Sequence, residues 1–262
     1  MSDDDKKGTR AIEVECEIQA PPEEVWKILT TSQGLRNWFP LDARVEPEVG
    51  GAVWLSWGPG CEGEAPIHIW EPPTRMGWTE SYGEDESGKP IKVAVDFYVE
   101  GREGVTVVRL VQSGFSAAAE WDEMYDAIKD GWTYFLFNLG YYFLKHRGKD
   151  RKLVWRRVAT ELTRDAVWER LIGGALLGIA SGGGADFQLQ LDQPYGVEVV
   201  AQREGHFFTG TVPSLDNSVL FVELEGPHVG IWLSTYGVGS ERTAQLQAEL
   251  EERVDQALGT VS

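Results

Sequence analysis

Two cysteines in 262 residues, Cys16 and Cys61, are too few for a disulfide framework or a thiolate metal site, and they read as buried free thiols. Basic residues are also scarce, with 24 Lys and Arg against 42 Asp and Glu, a formal charge of −18. Such a chain repels a phosphate backbone, whose binding rests on neutralisation by Lys and Arg, so nucleic acid and anionic membrane are poor partners. No apolar run reaches the roughly twenty residues of a membrane span, and the opening MSDDDKKGTR lacks the apolar core of a signal peptide. The expected location is the cytoplasm. His68, His146, His206 and His228 are scattered and make no metal-ligand spacing. Neither "GPGCEG" nor "ASGGGAD" leads into the Gly-Lys-Ser/Thr of a phosphate loop. The acidic "SYGEDESGK" lacks the spacing of a calcium-binding loop and reads as an exposed hairpin tip. The expectation is therefore no metal, no cofactor and no catalytic residue recognisable from spacing.

What is present is alternation. "RAIEVECEIQA" sets Ile12, Val14, Cys16 and Ile18 on one face and Glu13, Glu15 and Glu17 on the other, the period-two signature of a half-buried strand. "PPEEVWKILTT" follows with prolines at a helix mouth and acids in its first turn, where they suit the helix dipole. A second short helix is predicted in "SQGLRNWF". Six strand-like runs come next: "ARVEPEV", "GGAVWLSW", "APIHIWE", "TRMGWTESY", "IKVAVDFYVEG" and "VTVVRLVQSGF". They predict a curled antiparallel sheet. From about Ala119 to His146, Trp121, Met124, Tyr125, Ile128, Trp132, Phe135, Leu136, Leu139 and Phe143 recur three and four apart, which predicts a long helix with one apolar face. Its stretch "GWTYFLFNLGYYFL" is dense in aromatics but bracketed by charge, as a buried helix is.

After the charged "RGKDRK" the same order returns. "KLVWRRVATEL" reads as a strand, and "DAVWERLI" sits beside the earlier "EEVWKILT" with its Val-Trp pair in the same place. "GALLGIASGGG" reads as a weak helix or loop. Five strands follow, in "ADFQLQL", "YGVEVVAQR", "HFFTGTV", "SVLFVELEG" and "VGIWLSTYG". A last helix opens at Ser240 with Leu246, Leu250, Val254 and Leu258 along one stripe. Repeated element order predicts two domains, residues 9–148 and 152–262.

Taken in order, "APPEEVWKILTT", "LRNWF", "EVGGAVWLSW", "IHIWEPPTRMGWT", "VTVVRLVQSGF" and "GWTYFLFNL" resemble the START-like helix-grip superfamily. Within it they are most similar to the bacterial branch related to the activator of heat-shock-protein-90 ATPase. The resemblance implies an α+β fold with a curved antiparallel sheet around a long C-terminal helix, in two tandem copies. It also implies an apolar pocket between sheet and helix. The aromatic run would then be the gripped helix.

Strand parity places Val53, Leu55 and Trp57 on one face, His68 and Trp70 on one face of the next strand, and Val93, Val95, Phe97 and Val99 on another stripe. The residues expected to line a ligand site are Trp38, Trp57, His68, Trp70, Trp78, Phe97, Gln112, Trp132 and Phe135, with His68 and Gln112 as the orienting polar groups. Three functions compete. Non-enzymatic binding of a small hydrophobic or aromatic molecule fits the aromatic content. A chaperone-linked adaptor and a cyclase- or hydrolase-like enzyme are the alternatives, because fold alone does not select among them.

Overall fold

The computed structural model describes residues 8–84, 90–179 and 186–259. The chain divides into two compact units, Met1–Arg147 and Gly148–Ser262. Parts of the predicted acidic tip and of the Gly-rich "ASGGGAD" segment lie outside the described residues.

The first unit opens with β1 (Thr9–Ile18). Helix α1 (Pro22–Thr30) starts at Pro21 and Pro22, carries Glu23 and Glu24 in its first turn and buries Val25 and Leu29. Helix α2 (Ser32–Arg36) is capped by the Thr31 hydroxyl, which accepts from the Gly34 N–H at 3.0 Å. Gly34 permits this tight α1–α2 corner, since a Cβ there would stand 2.4 Å from the Ile28 carbonyl oxygen. Six strands follow: β2 (Asp42–Val45), β3 (Ala52–Ser56), β4 (Glu62–Glu71), β5 (Arg75–Glu84), β6 (Pro90–Arg102) and β7 (Val105–Ser116). They build one seven-stranded antiparallel sheet in the order β1-β7-β6-β5-β4-β3-β2. A short 3₁₀ turn at Ala119–Trp121 leads into α3 (Asp122–Tyr141), which ends in one π turn at Tyr142–His146.

Burial along α3 is uneven. Met124 is exposed and Trp121, Tyr125 and Ile128 are only half-buried, whereas Trp132, Tyr134, Leu136, Asn138 and Leu139 are buried. The gripped stretch is thus the aromatic second half. The first half is tied to the edge strand by polar contacts: Tyr125 donates its hydroxyl to the Ala11 carbonyl at 2.8 Å, and Arg10 pairs with Asp122 at 2.7 Å.

The second unit repeats the plan with β8 (Arg151–Ala159), α4 (Arg164–Arg170) and a π turn at Leu171–Ala175. A three-residue strand, β9 (Leu177–Ile179), stands inside the stretch predicted to be a weak helix or loop, because Leu177 and Ile179 find partners on the next strand. Then come β10 (Phe187–Gln190), β11 (Pro194–Arg203), β12 (Phe207–Val212), β13 (Ser218–Glu225), β14 (His228–Tyr236) and α5 (Ser240–Leu258). The sheet order β8-β14-β13-β12-β11-β10-β9 copies that of the first sheet position by position. Both units are helix-grip folds of the α+β class, each a curved antiparallel sheet with a long C-terminal helix.

Leu246, Leu250, Val254 and Leu258 of α5 are buried in a cluster with Val154, Leu220, Val222, Ile231 and Leu233. Each such side chain contributes about 1.5–3 kcal/mol when fully removed from water. Polar groups set the register. Arg156 reaches Asp255 through both carboxylate oxygens at 2.8 and 2.9 Å. Gln247 accepts from the Trp155 N–H at 3.0 Å and donates to its carbonyl at 2.7 Å, satisfying backbone groups on the edge strand that no neighbouring strand takes up.

Candidate functional site

The interior of the first unit is aromatic. Phe39, just after α2, is its hub: it stacks on Trp38 at 5.1 Å and on Trp132 at 5.0 Å, and meets Trp57 at 5.3 Å and Phe135 at 4.7 Å edge-on. Phe97 of β6 meets Trp38 at 6.3 Å, Trp132 at 5.9 Å and Trp78 at 5.5 Å. Separations of this kind are those at which aromatic pairs add to plain burial. The structure therefore brings Trp38, Trp57, Trp78, Phe97, Trp132 and Phe135 together between α3 and the sheet. Phe39 was not among the expected residues, though "NWF" placed it beside Trp38.

One side of this cluster is polar. Trp132 Nε1 donates to Gln112 Oε1 at 2.5 Å, and Gln112 Nε2 reaches Glu80 at 3.2 Å and the Tyr82 hydroxyl at 3.3 Å. Tyr82 donates to Glu80 Oε2 at 2.8 Å, and Trp78 Nε1 donates to Glu80 Oε1 at 2.9 Å. Gln112 is thus placed against the helix, while the Glu80 carboxylate that organises the network was not among the expected residues. Its signal was available: Glu80 lies two residues beyond Trp78 on one strand and shares its face. Two further polar atoms are buried without a partner among the described residues, Trp38 Nε1 and Asn138 Oδ1. The Asn138 amide group donates to the Trp38 carbonyl at 2.7 Å, so the residue is held while its oxygen is left over.

His68 corrects the expectation of an inward group. A bulge in the β4–β5 pairing between Ile67 and Ile69 breaks the alternation: Ile67 faces Trp78, Ile69 faces Gly77, and Trp70 faces Met76. Ile67, Met76 and Trp78 are buried on the inner side, and His68 turns to the other face with Asp96. There its Nε2 lies 3.2 Å from Asp96 Oδ1 and its Nδ1 3.0 Å from the Thr79 hydroxyl, and Arg75 reaches the same carboxylate oxygen at 3.5 Å. Gly77 makes room, since a Cβ would stand 2.5 Å from Asp96 Oδ1. Trp70 does not share the His68 face either. It meets Trp26 of α1 edge-on at 5.4 Å, at the margin of the sheet rather than in the Phe39 cluster.

The second unit differs inside. Facing α5 are mainly aliphatic side chains, with Phe208 and Tyr195 the aromatics of the cluster. Its unusual titratable group is Glu223 of β13. Removal from water pushes this carboxyl up to about 7, the Glu225 charge adds to the rise, and the Trp232 N–H, donating at 3.3 Å, opposes it. Nothing in "LFVELEG" signals this, since it alternates as an ordinary strand does. Among the described residues no group of three His, Cys, Asp or Glu side chains is placed to hold a metal ion. The Cys16 thiol is free and pushed up to about 12 by burial, with Glu15 adding to the rise.

Residues 19–143 match the family model described as activator of Hsp90 ATPase homolog 1-like protein. No curated protein matches the chain. Among solved structures, the Aha1 dimer from Colwellia psychrerythraea is 24% identical over 53% of this chain and 99% of its own, with a TM-score of 0.46. DynU16, a putative protein in the dynemicin biosynthetic locus, is 18% identical over 95% of this chain and 96% of its own, with a TM-score of 0.45. The di-domain ARO/CYC BexL from the BE-7585A biosynthetic pathway is 12% identical over the same shares, with a TM-score of 0.44. Through residues 19–143 the first unit is thus similar to the activator of Hsp90 ATPase homolog 1-like family.

Proposed function

We propose that the first unit binds a small hydrophobic or aromatic molecule between α3 and the concave sheet and releases it unchanged. The observation that supports this reading is the pair of orphaned polar atoms beside the aromatic cluster. A buried donor or acceptor without a partner costs about 1–3 kcal/mol, and a polar atom of a bound molecule reaching Trp38 Nε1 or Asn138 Oδ1 removes that cost. The aromatic faces of Phe39, Phe97, Phe135 and Trp132 supply apolar contact, and the Glu80–Gln112 network supplies a polar end. The driving force is apolar burial at roughly 25 cal/mol per Å², so a ligand burying about 200 Å² gains about 5 kcal/mol before association entropy is subtracted, which gives modest affinity. The fold is one that accommodates ligand-binding domains, and no described helix is long and apolar enough to cross a membrane. The working location is the cytoplasm.

The test is a titration of hydrophobic fluorophores and neutral aromatic metabolites followed through Trp emission, with Phe39→Leu and Phe135→Ala as controls. Saturable binding weakened at least tenfold in both variants supports the site. Absence of saturable binding to every compound defeats it. A second reading, a chaperone-linked adaptor, is favoured by the family match over residues 19–143. It predicts that the purified chain raises the ATPase rate of a heat-shock-protein-90 chaperone with no ligand present. Turnover of a bound ligand would instead favour the cyclase- or hydrolase-like alternative.

A further inference from the structure

A concavity lies apart from the aromatic interior. Trp26, Lys27, Thr30, Thr31 and Ser32 of the α1–α2 corner, together with Val45, Pro47 and Trp70, enclose a half-open groove of about 450 Å³. This lies within the range of small-molecule sites. The two indoles meet edge-on at 5.4 Å and form an L-shaped apolar wall. Two hydroxyls are already committed: Thr30 donates to the Trp26 carbonyl at 2.7 Å, and Thr31 donates to the Lys27 carbonyl at 2.8 Å while accepting from the Gly34 N–H. Neither O–H is left to donate to a ligand. The polar groups left for a ligand are the Lys27 ammonium, the Ser32 hydroxyl and the two indole N–H groups, and among the described residues Lys27 has no ion-pair partner.

Charge suits the groove to an anionic occupant. In a chain with 42 acids against 24 Lys and Arg, not one lining residue is acidic, and the ammonium and indole groups are donors only. We propose that this groove is a separate binding site for a planar aromatic carboxylate. The ring lies against Trp26 and Trp70, and the carboxylate pairs with Lys27. A half-open site screens such a pair, so its contribution is modest and falls with salt.

Calorimetric titration of the full chain with 2-naphthoate, 2-naphthylmethanol and 2-naphthylmethylammonium tests the proposal. The expected order is carboxylate first, roughly fivefold tighter than the alcohol, with the ammonium weakest. Lys27→Met, a change at an exposed side chain, should bring the carboxylate to the level of the alcohol, and Trp70→Ala should weaken both. Raising the salt should reduce the carboxylate advantage in the wild type and leave Lys27→Met unaffected. No saturable carboxylate binding, or carboxylate binding that Lys27→Met leaves unchanged, overturns the proposal. Carboxylate binding lost in Phe39→Leu and retained in Lys27→Met and Trp70→Ala belongs to the aromatic interior and overturns it as well. The two sites use different residues, so either can fail while the other stands.

Discussion

Trp132 carries two kinds of interaction at once, ring contacts with Phe39 and Phe97 and an N–H donated to Gln112. Trp132→Ala is expected to cost about 3–5 kcal/mol in chemical denaturation, the range of large buried aromatic truncations. Gln112→Leu separates the polar part. It leaves the Trp132 N–H and the Glu80 carboxylate short of a partner and should cost about 1–3 kcal/mol. A loss below about 1 kcal/mol for Trp132→Ala would show that the side chain is not packed as described. In the second unit, the Glu223 carboxyl lies near 7 when folded against 4.5 ordinarily, so the folded state holds its proton more tightly than the unfolded chain. The stability this contributes is complete below about pH 4.5 and is lost as pH rises through about 7. Glu223→Gln should therefore flatten the dependence of unfolding free energy on pH across that window, by about 3 kcal/mol. Wild type and variant that run parallel from pH 4.5 to 7.5 would contradict the assignment.

Elements were legible where alternation was regular. The stripe Val93, Val95 and Phe97, the stripe of α5 at four-residue spacing and the repeated order of elements in the two halves all follow from side-chain periodicity, and the residues of the two stripes are buried. Sequence alone does not show where an extra residue enters a strand. The bulge at His68 reverses parity for one position, which is why His68 and Trp70 were expected on one face and stand on different ones. Nor does it show which inward position tolerates a carboxylate. Glu80 sits inward because the Trp78, Tyr82 and Gln112 side chains converge on it, three donors contributed by two strands. The bulge and Gly77 act as one device. Gly77→Ala should destabilise the first unit by about 1–3 kcal/mol, since its methyl would overlap Asp96 Oδ1. It should also separate His68 from Asp96, seen as a changed chemical shift of the His68 imidazole protons at fixed pH. An unchanged signal with wild-type stability would show that the His68–Asp96 contact does not depend on the glycine.

For the whole molecule, two sheets of the same order with different interiors point to a division of labour, aromatic and polar in the first unit and aliphatic in the second. Expressed separately, residues 9–148 and 152–262 should each melt cooperatively, and only the first should respond to aromatic ligands. The most direct test of the central claim, that the first unit holds a small molecule between α3 and its sheet, is native mass spectrometry of the freshly purified full chain beside Phe39→Leu. The account predicts an added mass of roughly a few hundred daltons on the wild type, released on denaturation and reduced in the variant. Bare chain mass for both proteins, with no shift in melting temperature across the aromatic panel, would contradict it.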